Sequence, residues 1–70
     1  MKIKGNEVLW LSEKGNVAVV YAQFDMGKKY QIYRKVRYDE KSIWEFCNAF
    51  GTQGEATRYA KQMLDREIER

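Results

Sequence analysis

The sequence predicts an α+β domain, an antiparallel β-meander of three to four strands with a C-terminal α-helix packed on one face. Three observations predict it. Runs rich in Val, Ile, Trp and Tyr are separated by glycine-bearing joints at 13–16 and 25–29. A threonine followed three places later by a glutamate opens an amphipathic stretch over residues 52–68. Seventy residues can feed only one core, so 1–70 reads as a single small domain.

Each element follows from local chemistry. "EVLWL" at 7–11 is short and β-rich, and "NVAVVYAQF" at 16–24 is dense in valine and aromatics. "EKGN" at 13–16 and "DMGKK" at 25–29 have the composition of hairpin turns. "KYQIYRKVRY" at 29–38 alternates: Tyr30, Ile32, Val36 and Tyr38 fall on one face, and Gln31, Tyr33, Lys35 and Arg37 on the other. Arg34 interrupts the apolar face, which fits either a sheet margin or an aliphatic stem laid over other side chains.

"EKSIWEFCNAF" at 40–50 fits two templates. As a strand, Trp44, Phe46 and Phe50 share a face, with Asn48 between them. As a helix, Ile43, Cys47 and Phe50 line one side and Gly51 is the stop. The short turn "DEKS" and the β-rich first half favour a fourth strand. Three strands followed by two helices is the alternative. At the C-terminus, Thr52 suits an N-cap and Glu55 the N3 position. Ala56, Tyr59, Ala60, Met63, Leu64 and Ile68 form one stripe, with Thr57, Arg58, Lys61, Gln62, Asp65, Arg66 and Glu69 opposite. Such a helix is marginal alone in water, so it is expected to cover one sheet face and leave the other free.

Composition narrows the chemistry. There is no histidine and a single cysteine, Cys47, so the usual structural zinc sites, a histidine-dependent triad and an internal disulfide are all excluded. Cys47 reads as a small hydrophobe. "GTQG" at 51–54 lacks the lysine and the spacing of a phosphate-binding loop. Neither enzymatic activity nor a cofactor or metal is expected. No signal peptide is evident. The longest apolar run, "VAVVYA", is far below the roughly 20 residues that cross a bilayer. A cytoplasmic protein without a membrane partner is the expectation.

Charge points to a partner. Residues 1–38 carry eight Lys or Arg against three acids, and residues 39–70 carry five against seven. The segment "KKYQIYRKVR" at 28–37 has five bases and no acid. Lys28, Lys29, Gln31, Tyr33, Lys35 and Arg37 are therefore the candidate contacts to DNA or RNA. Basic side chains would meet phosphates, while glutamine, arginine and tyrosine would reach or stack on bases. Tyr21 and Tyr33, set beside Val17 and Val19, and Trp10 are candidates for stacking or for an interface. The same residues fit a second small core beneath the N-terminus, and Trp10 and Trp44 fit core or rim positions. A protein-interaction or homodimerisation module, such as a small phage-encoded modulator of a host protein, is the alternative function.

The pattern Phe50, Thr52, Glu55, Ala56, followed by Tyr59, resembles the end of the arm-type DNA-binding domains of phage and transposon integrases. The resemblance covers roughly residues 17–68. It implies a three-stranded sheet leading into a capped helix, with the sheet entering the major groove. "YQIYRKVRY" would be the groove-facing strand and Thr52 to Ile68 the supporting helix. Where that family has a short basic strand before the phenylalanine, this chain has the acidic and aromatic "DEKSIWEF". Without a recombinase domain, the resemblance implies a free-standing small protein of a phage or mobile element and no recombination chemistry.

Overall fold

A computed structural model describes residues 1–23 and 26–68, with side chains as far as Leu64. Phe24, Asp25 and Glu69, and the side chains of Asp65, Arg66 and Ile68, lie outside the described residues. One antiparallel sheet contains β1 (Lys2–Ile3), β2 (Asn6–Leu11), β3 (Val17–Tyr21), β4 (Tyr30–Tyr38) and β5 (Lys41–Phe50), side by side in chain order. The helix α1 (Gln53–Ile68) follows.

The sheet has five strands where three to four were expected. The extra strand is β1, folded back by a two-residue turn in which Lys4 (φ 52°) and Gly5 (φ 81°) are both left-handed. That is the turn whose twist matches paired strands. Two residues of strand are too few to show an alternation, which is why the pattern "KIKGNE" hid it. Residues 41–50 are strand throughout, so the arrangement of three strands and two helices does not occur. The β4–β5 hairpin closes at Tyr38 and Lys41 through Asp39 (φ 44°) and Glu40 (φ 68°), again both left-handed but without a glycine.

The loop between β2 and β3 is organised by a residue outside the expected turn. Ser12 is buried; its hydroxyl donates to Asn16 Oδ1 at 2.8 Å and accepts from the amides of Asn16 and Val17. Gly15, at φ 72°, donates its amide to the Ser12 carbonyl. Thr52 caps the helix start as expected, its Oγ1 accepting from the Glu55 amide at 3.3 Å, while the Glu55 carboxylate accepts from the Thr52 hydroxyl at 2.9 Å rather than from the cap amide.

The sheet packs on both faces. On the helix face, Val17, Val19 and Ile32 are buried with Ala56 and Ala60, and Trp10, Tyr30, Phe50, Tyr59 and Met63 close around them. The two alanines let the helix backbone approach the valines. The other face, called here the outer face, holds a second and smaller core of Ile3, Ala18, Val20 and Tyr33, flanked by Val8 and Trp44. This corrects the expectation of a free second face: the N-terminal strand covers its middle. A strand at one edge reaches that far because the sheet curls. Two bulges, at Leu9 and at Cys47, each set one extra residue into the strand and sharpen the local twist.

Candidate nucleic-acid interface

β4 keeps the expected alternation along its whole length. Tyr30 and Ile32 join the helix-face core, and Tyr33 joins the outer one. Its partner is less regular. Trp44 and Phe46 sit opposite Lys35 and Tyr33, whereas Asn48 and Phe50 sit opposite Ile32 and Tyr30. The bulge at Cys47 thus sends Trp44 and Phe46 to the outer face and Phe50 to the helix face, so the three aromatics expected together are split. Cys47 itself packs at the edge of the helix-face core.

β3 ends opposite Arg34, where the basic residue was expected to mark a margin. Beyond that point β4 and β5 continue as a two-stranded ribbon. On its helix face Arg34 pairs with Glu45 at 3.3 Å, both side chains about half exposed. On its outer face the pairs are Tyr33 with Phe46, Lys35 with Trp44 and Arg37 with Ser42. Phe46 is 49% exposed and meets the Tyr33 ring edge-on at 5.8 Å. The Lys35 ammonium lies 5.0 Å from the centre of the Trp44 ring, within range of a cation–π contact. Lys35 and Arg37 are exposed and two residues apart, about 6.6 Å along the strand.

The other candidates are placed differently. Tyr33 is only 6% exposed, and its hydroxyl donates to Gln31 Oε1 at 2.9 Å. Lys28 and Lys29 precede the first residue of β4, so about 23 Å of strand, from Tyr30 to Arg37, lies between them and Arg37. Tyr21 lies on the helix face, tilted against Tyr30 at 5.5 Å, and Trp10 borders the helix-face core. Tyr21 and Tyr33 therefore sit on opposite faces and form no common platform. Trp44 and Phe46 are the residues sequence reasoning did not place here; their signal was the cross-strand register, which the bulge concealed.

Among the described residues no three His, Cys, Asp or Glu side chains gather to hold a metal, and no helix is long and apolar enough to cross a membrane. An open groove of about 190 Å³ runs beside Phe50, Glu55, Arg58, Tyr59 and Gln62. No family model, curated protein or solved structure matches the chain.

Proposed function

We propose that this chain is a non-catalytic nucleic-acid-binding module that works through the outer face of the β4–β5 ribbon. One observation carries the reading: Lys35, Arg37, Ser42, Trp44 and Phe46 occupy one continuous surface without a carboxylate at any of its paired positions. Two cations at a step of about 6.6 Å suit successive phosphates of one strand. A half-exposed phenylalanine beside them offers a stacking surface to an unpaired base, a contact of about 1–3 kcal/mol. Single-stranded nucleic acid is the substrate class this combination favours. Lys28 and Lys29 would act only on a ligand long enough to follow β4.

The test is fluorescence anisotropy with labelled single-stranded and duplex oligonucleotides at about 50 mM salt, where phosphate contacts are strong. Lys35→Ala combined with Arg37→Ala should weaken binding and lower the salt dependence by about two counterions, with the fold retained. Phe46→Ala should weaken single-strand binding more than duplex binding. Absence of binding to either probe removes the proposal.

A further inference from the structure

We propose that β5 pairs with the β5 strand of a second copy of this chain, antiparallel and centred on Ile43, joining two five-stranded sheets into one. This goes beyond the nucleic-acid reading and does not depend on it. Among the described residues β5 is the outermost strand, with a strand partner on one side only, and it is ten residues long. Ile43 on it is 47% exposed. A long edge strand with exposed apolar side chains is a template for another strand.

The direction of its unpaired backbone groups follows from β4. Lys35 donates its amide to the Asn16 carbonyl at 2.8 Å, on the β3 side. Lys35 and Trp44 are therefore a pair whose backbone groups point away from each other. The amide and carbonyl of Trp44 face the open edge, as do those of Ser42 and Phe46 by alternation. Charge then selects the register. In a twofold antiparallel pairing, centring on Glu45 sets that carboxylate against itself, and centring on Trp44 sets Ile43 against Glu45. Centring on Ile43 sets Lys41 opposite Glu45 twice and Ile43 against Ile43. It also sets Ser42 opposite Trp44, so that the outward-facing groups bond to each other. Glu45 would then lie between Arg34 of its own chain and Lys41 of the copy.

The fold leaves room for this. The bulge at Cys47 ends regular pairing just beyond the matched segment. The helix packs over Phe50, seven residues from Ile43, or about 23 Å along the strand. A twofold axis perpendicular to the sheet would also place both outer faces on the same side.

Sedimentation from about 10 µM to about 1 mM tests the pairing, because a contact this short gives a weak dimer. The expected result is a rise from one chain mass towards two. Lys41→Glu and Glu45→Lys should each weaken self-association about tenfold, since each creates like charges in both symmetric contacts. Mixing these two variants should restore association, because both contacts are then complementary. Ile43→Arg, which sets a charge against itself, provides an independent third disruption if Glu45→Lys perturbs the fold through Arg34. Amide exchange at Ser42 and Trp44 should slow with concentration while that of Ile43 stays constant. A chain that remains monomeric at about 1 mM, or a dimer indifferent to these substitutions, overturns the proposal.

Discussion

The two faces of this sheet come from one alternating pattern and reach different ends. The helix face carries Lys2, Glu7, Arg34, Lys41 and Glu45 at its paired positions, both signs together, and the Arg34–Glu45 contact joins two of them. The outer face carries Lys35 and Arg37 and no acid at its paired positions among the described residues. A sixteen-residue helix covers the first face, while the second is covered mainly by Ile3, folded back from a strand of two residues. The difference teaches where a small domain can leave surface open. Most apolar burial is concentrated under α1. The β4–β5 ribbon, beyond the reach of β3, is then left to present cations and rings to water.

Four substitutions break or sharpen that contrast, and denaturant midpoints read all of them. Ile32→Ala, which empties the centre of the helix-face core, should cost about 4 kcal/mol. Ile3→Ala, in the smaller core, should cost about 2 kcal/mol, because a short edge strand can settle into the space left. Equal losses at the two positions would erase the ranking of the faces. Thr52→Ala removes a cap that acts only through the helix, so about 1 kcal/mol should be lost while nucleic-acid affinity per folded molecule stays constant. Glu40→Gly relieves a left-handed residue at the ribbon tip and should gain about 0.5 kcal/mol, again without touching either core.

What was legible in the chain follows the length of each signal. The nine residues of β4 keep one alternation of faces despite Arg34 among the apolar positions, so the sequence alone assigns Lys35 and Arg37 to one face and Ile32 to the other. Thr52 and Glu55 announced the helix because a capping box is a local contact three residues apart. β1 is not legible in the sequence because Lys2 and Ile3 alone carry no period. Strict alternation groups Trp44 and Phe46 with Phe50, because it cannot foresee the extra residue at Cys47. Lys28 and Lys29 looked contiguous with Lys35 and Arg37 in sequence, but an extended strand separates them by its full length.

The sequence by itself determined the segments that prefer to be extended or helical, the alternation along β4 and the absence of the usual histidine chemistry, because these depend on near neighbours and on composition. Only the tertiary structure decided that Tyr33 is buried under Ile3, that Lys35 stands over Trp44 and that β5 is left with an open edge. Those outcomes require residues far apart in the chain to meet, and they turn on single-residue bulges and on the curl of the sheet, which no local pattern encodes.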